Sequence, residues 1–181
     1  MNKRAEQLFQ ELEGDDKSLQ MEAFSSLVQE MENPVDWAYE VWDKLESWLT
    51  DKDNHKRSRG AQFLAALAKS DPEKRLLSAF PALWKVTFDD KTVTARHALQ
   101  NIWKAALSGP EQNELVVNHL EQRFRKAAED KHPTLVRFDI TESLRKLYDK
   151  QPDERLRVLA LELIEREQDA KYKKKYAALW K

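Results

Sequence analysis

The chain has 181 residues, 41% of them hydrophobic and 35% charged, with three glycines and no cysteine. This Glu-, Lys-, Ala- and Leu-rich mixture favours helix over sheet and is long enough for one domain with a real core. Lys and Arg number 31 against 32 Asp and Glu, a net charge of −1 that gives no general pull toward nucleic acid or anionic membrane, and the lack of cysteine excludes disulfides and thiolate metal sites.

Hydrophobic periodicity predicts five helix pairs, each with a first and a second helix. Residues 2–14 and 16–32 form the first pair, whose second helix carries Phe24, Leu27, Val28 and Met31 on its apolar face. Residues 34–50 and 53–70 form the second pair. Its first helix sets Trp37, Val41, Trp42, Leu45, Trp48 and Leu49 on one arc, with Glu40, Asp43, Lys44 and Glu46 opposite. Residues 72–88 and 91–107 form the third pair, where Leu76, Phe80, Leu83, Trp84 and Phe88 repeat the stripe. Pro81 removes one hydrogen bond there and predicts a kink. The fourth pair is 110–128 with 132–150, and Leu115, Val116, Leu120 and Phe124 supply its first stripe. The fifth is 152–168 with a terminal helix over 169–181. Stripes this wide must pack on more than one side, and each such side chain contributes about 1.5–3 kcal/mol when buried.

Two repeated signals mark the pairs. Pro34, Pro72, Pro110 and Pro152 stand 38, 38 and 42 residues apart, each near the start of a first helix, where a missing N–H costs least. Asn33 and Asp71 precede two of them as candidate caps. The second helices are entered through Asp53-x5-Arg59, then Asp90-x5-Arg96, then the looser Asp130-x6-Arg137. Each arginine is followed by a small or apolar face, such as Ala61, Leu64, Ala65 and Ala68.

Paired helices of this period, with a proline near the first helix and an Asp-x5-Arg entry to the second, resemble HEAT repeats over residues 34–150. The resemblance implies an all-α superhelix, or solenoid, of about five stacked helix pairs in a single domain, 1–181, with second helices lining a concave surface. It also implies an Asp–Arg ladder between repeats, built from Asp53, Arg59, Asp90, Arg96, Asp130 and Arg137. Tetratricopeptide repeats fit less well, because their period is shorter and their Trp-Leu-Gly-Tyr spacing is absent.

Each remaining motif has a structural and a functional reading. The second-helix arginines either form the ladder or grip phosphate or carboxylate, which the planar guanidinium matches. Trp37, Trp42, Trp48 and Trp84 fall on apolar arcs and read as core. Trp103 lies off the Ala98–Ile102–Ala105 face, toward either the groove or the next repeat. His55, His97, His119 and His132 have no ligand spacing, so no metal is expected, and His119 on an apolar arc reads as a core histidine. Gly60 reads as a close approach between helices. The tail, Lys171 to Lys181, interleaves bases with aromatics. Tyr172, Tyr176 and Leu179 or Trp180 nonetheless keep helical spacing, so residues 170–181 read as a C-terminal capping helix.

The sequence therefore points to a non-catalytic, cytoplasmic scaffold that binds a protein or peptide partner on its concave surface, with no cofactor. The expected contacts are Trp103, Leu99, Lys104 and Arg145, with Gln62 and Lys69 in the preceding repeat. The alternative is a DNA-binding protein like the alkylpurine DNA glycosylases, which share the HEAT-like architecture. Against it stand the near-zero charge and the absence of a tryptophan followed one turn later by aspartate: Trp103 is followed by Leu107 and Trp84 by Phe88. No apolar run approaches the ~20 residues of a membrane span, and no signal-peptide pattern follows Met1.

Overall fold

The computed structural model describes residues 1–181 and is all-helical, with ten α-helices and no strand. The helices are α1 (Lys3–Glu13), α2 (Lys17–Glu30), α3 (Ala38–Trp48), α4 (Asn54–Leu67), α5 (Arg75–Val86), α6 (Thr92–Asn101), α7 (Pro110–Lys126), α8 (Pro133–Lys150), α9 (Glu154–Glu165) and α10 (Ala170–Ala178). Every predicted helix is present. Three tighten at the C-terminal end into 3-10 turns: α4 through Ala68–Ser70, α6 through Ile102–Ser108 and α7 through Ala127–Glu129.

Each helix packs on its partner in the pair, α1 on α2 and α3 on α4. The second helices also pack on one another, α4 on α6, α6 on α8 and α8 on α10. The apolar stripes meet in one continuous core that runs from Ala5 and Phe9 to Tyr176. Phe9 joins the first pair to the second, edge-on to Trp37 and Phe63 with ring centroids 5.9 and 6.1 Å away. Trp37, Trp42 and Trp48 are buried. Trp84 is half-buried, stacked on Phe80 and edge-on to His119, whose Nδ1 lies 2.8 Å from the Leu115 carbonyl.

Gly60 sits where α4 crosses α3. A Cβ there would stand 2.9 Å from the Leu45 carbonyl oxygen and 3.0 Å from Trp48 Cβ, so the hydrogen is required for the close approach. At the far end α10 covers α8. Tyr176 is fully buried, and its hydroxyl donates to the Thr134 carbonyl at 2.8 Å. Burial, with the nearby Glu167 charge adding to it, raises that phenol well above its ordinary range.

The prolines behave less uniformly than their spacing suggests. Pro110 occupies the first position of α7, as does Pro133 in α8. Pro34, Pro72 and Pro152 lie in the turns ahead of α3, α5 and α9. Helix α3 begins without a side-chain cap, whereas α5 and α9 are capped by aspartates close to their prolines. The Asp71 carboxylate accepts from the Arg75 and Leu76 N–H groups of α5, and Asp153 accepts from Arg155 N–H at the start of α9. Helix α5 continues through Pro81, which is exposed.

The arginines form rungs between pairs, but in a different register from the one the repeat pattern implies. Asp53 is consumed locally as the N-cap of α4, accepting from His55 N–H. Arg59 meets no carboxylate and reaches back to the Leu12 carbonyl and Gln20 Oε1. The forward rung from α4 is Arg57, which donates through Nε and Nη2 to Asp89, with Asp90 only at its edge at 3.5 Å. Arg96 reaches Asp139 on α8 rather than Asp90. Arg137 reaches Glu167 ahead of α10, while Asp130 pairs with Arg123. Of the three expected ladder aspartates only Asp53 is spent as a cap, while Arg57, Arg96 and Arg137 each find a carboxylate one unit further along. Burial pushes the Asp89 carboxyl up, but the Arg57 bond and the Lys91 N–H together hold it below the ordinary value.

Candidate functional site on the second helices

Helix α4 repeats polar residues every four positions, Asn54, Ser58 and Gln62. Helix α6 places Thr94, His97 and Asn101 at steps of three and four. This spacing puts each set on one face of its helix, and the packing of α4 on α6 brings the two sets together. Asn54 Nδ2 donates to Thr94 Oγ1 at 3.3 Å, Ser58 Oγ lies 3.2 Å from His97 Nδ1, and Asn101 Nδ2 donates to Gln62 Oε1 at 3.3 Å. Gln62 Nε2 also donates to Ser58 Oγ at 3.1 Å, so the four side chains form one connected chain of bonds. On α8, Asp139 continues the row by accepting from Gln100 Nε2 at 2.9 Å as well as from Arg96. Ser143 Oγ donates to the Leu99 carbonyl at 2.7 Å, where α6 gives way to its 3-10 turn.

The Ser58–His97 contact does not amount to an activated nucleophile. Ser58 is 7% exposed and already bonded to Gln62, and no acceptor orients the far nitrogen of the imidazole. The pair joins α4 to α6. Desolvation, then the neighbouring Arg96 charge, lowers the His97 pKa below the ordinary histidine value.

The six residues expected to meet a partner divide into three groups. Leu99 is 1% exposed and Trp103 9%, and both belong to the core, so neither is a surface contact. The tightening of the chain into the 3-10 turn at Ile102 changes the angular step per residue. An ideal helical wheel therefore misplaces Trp103. Arg145 is set apart from the α4–α6 face: it pairs with Asp149 at 2.8 Å and lies over the Trp180 ring at 5.7 Å, helping to seat the C-terminal helix. Gln62, Lys69 and Lys104 are half-buried residues on or beside the polar row.

At the C-terminal ends of α4, α6 and α8 the row becomes basic. Burial, then Lys150 nearby, pushes the Lys69 pKa down. Burial, then the charges of Lys69 and Lys146, does the same to Lys104. Lys69 Nζ donates to the Glu32 carbonyl at 2.8 Å, and Lys146 pairs with Glu142 at 3.1 Å. Lys104 makes neither a hydrogen bond nor an ion pair. Sequence reasoning picked out Lys69 and Lys104 but missed Ser58, His97, Asn101 and Lys146. The three- and four-residue polar spacing on α4 and α6 was the available signal.

A recess of about 260 Å³ lies between the starts of α6 and α8 and is lined by Arg96, Arg123, Asp130 and Asp139 among others. Both its arginines are already engaged: Arg96 by Asp139, and Arg123 by Thr87 and Asp130, with the Phe88 ring centroid 3.7 Å from its guanidinium carbon. No helix is long and apolar enough to cross a membrane. Compared with known proteins, the chain matches no family model, no curated protein and no solved structure.

Proposed function

We propose that the chain is an α-solenoid of five HEAT-like pairs that works as a non-catalytic scaffold, holding a protein or peptide partner on the surface of α4, α6 and α8. The observation that carries this reading is the side-by-side packing of α4, α6 and α8 over one apolar core, which leaves Asn54, Gln62, His97 and Asn101 partly or fully exposed along one face while Ser58, Thr94 and Asp139 bond the helices together beneath it. Such a face offers donors and acceptors along a line, which suits an extended segment better than a small molecule.

The test is affinity capture from a native extract with the wild-type chain and two variants. One carries Lys69→Glu with Lys146→Glu on the face, and the other carries Lys171→Glu with Lys174→Glu on exposed α10. A protein retained by the wild type and the α10 variant but lost from the face variant is the expected result. Capture lost equally from both, or unaffected by either, contradicts the reading. A low-salt gel shift with duplex DNA runs beside it. Retention of DNA that weakens steeply with salt would instead favour the glycosylase-like alternative.

A further inference from the structure

The turns inside the second, third and fourth pairs, residues 49–53, 87–91 and 127–132, are joined along one edge of the stack by two arginines. Arg57 donates from Nη1 to the Asp51 carbonyl at 2.8 Å and from Nη2 to Asp89 at 3.0 Å, tying the first turn to the second. Arg123 donates from Nη1 to the Thr87 carbonyl at 2.7 Å and from Nη2 to Asp130 at 3.2 Å, tying the second to the third. Phe88 stands in the middle turn. It is 54% exposed, the only exposed Phe, Tyr or Trp ring in the chain. The Arg123 guanidinium carbon lies 3.7 Å from its centroid and steadies it. Three recesses meet at this ring: the one of about 260 Å³ between the starts of α6 and α8, one of about 330 Å³ beside Trp84 and His119, and one of about 660 Å³ between the starts of α4 and α6.

The unpaired charge on this edge is mostly of one sign. Lys52, Lys85 and Lys91 line the largest recess, Lys126 the middle one and Lys131 the smallest, and all five are exposed. The lysine ion pairs of the chain lie elsewhere, at Lys44, Lys56, Lys74, Lys146 and Lys173. Asp51, Asp89, Asp130 and Asp139 are already in ion pairs. Only Glu129 and Asp90, the latter 3.5 Å from Arg57, are left to balance the five ammonium groups. Solvated lysines alone make an ordinary surface. These surround an exposed ring and recesses with apolar floors, Leu49 and Val86 in the largest, Leu99 and Val136 in the smallest.

We propose that this edge docks an extended acidic segment of a partner protein, whose apolar side chains enter the recesses on either side of Phe88 while its carboxylates meet the lysines. Charge complementarity selects an anionic occupant, and the apolar floors select one with apolar side chains. A single-stranded nucleic acid has the right charge but gains affinity by stacking successive bases, and only one ring is exposed here. That the segment belongs to a protein rests on the scaffold reading. The edge stands on its own residues, and neither Lys69 nor Lys146 of the helical face lines its recesses.

The test is a titration of the intact chain into a fluorescein-labelled, glutamate-rich peptide carrying leucine at every third position, followed by anisotropy at low ionic strength. Saturable binding is expected, with an all-glutamate peptide of the same length about fivefold weaker or more. Lys91→Glu with Lys131→Glu weakens binding by about tenfold or more, and Phe88→Ala by about fivefold. The two lysines are exposed, so their variant reads the edge even if Phe88→Ala fails to fold. Lys171→Glu with Lys174→Glu on α10 leaves binding unchanged. Absence of saturable binding overturns the docking edge. So does equal affinity for the all-glutamate peptide, wild-type affinity in the Lys91→Glu, Lys131→Glu variant, or equal weakening in the α10 variant. Tighter binding of a single-stranded oligothymidylate of the same length overturns the choice of a protein segment. No native partner enters the titration, so its failure leaves the scaffold reading standing, and failure of the capture experiment leaves the measured edge standing.

Discussion

Arg96→Ala is expected to destabilise the fold by about 3–5 kcal/mol, through the charge it leaves behind rather than the contact it removes. The Asp139 side chain is 0% exposed and accepts from Arg96 Nε at 2.8 Å, Arg96 Nη2 at 2.9 Å and Gln100 Nε2 at 2.9 Å. Without the guanidinium, a buried carboxylate keeps one neutral amide. Urea denaturation measures the loss, and for a chain of this size it corresponds to a fall in Tm of roughly 10 °C. The pair variant Arg96→Leu with Asp139→Leu recovers most of the stability, because it removes both charges together. A melting curve unchanged by Arg96→Ala would show that the rung between α6 and α8 carries no weight in the fold.

Trp103→Ala is expected to cost about 3–5 kcal/mol, the range for emptying a large aromatic from a core. Its indole belongs to the apolar cluster with Leu99, Ile102 and Ala106 rather than to the solvent face of α6. Wild-type stability with lost partner binding would return Trp103 to the surface.

The pairs were legible because helix periodicity is local: a stripe such as Trp37, Val41, Trp42, Leu45 and Trp48 needs no knowledge of its partner. Gly60 was legible for a similar reason, since a lone glycine inside an otherwise regular helix has few other uses. The rungs were legible as a kind of interaction but not as pairs. Asp53 and Arg59 stand close in sequence, yet which carboxylate meets which arginine depends on how far one pair is displaced against the next. That displacement brings Arg57 to Asp89, Arg96 to Asp139 and Arg137 to Glu167. Trp103 was misplaced because its position was read on a regular helix, while the chain tightens one residue before it. The polar row escaped notice because Ser58, His97 and Asn101 acquire meaning only once α4 lies on α6.

The proposed solenoid requires serial stacking of the pairs, with α4, α6 and α8 side by side. Side-chain nuclear Overhauser contacts measure it directly. The expected network joins each pair to its neighbours: Phe9 to Trp37 and Phe63 at one end, and Tyr176 to Phe124 and Phe138 at the other. No contact is expected between α1 or α2 and α9 or α10. Contacts linking those two ends around a shared centre would contradict the stack and, with it, the continuous second-helix face.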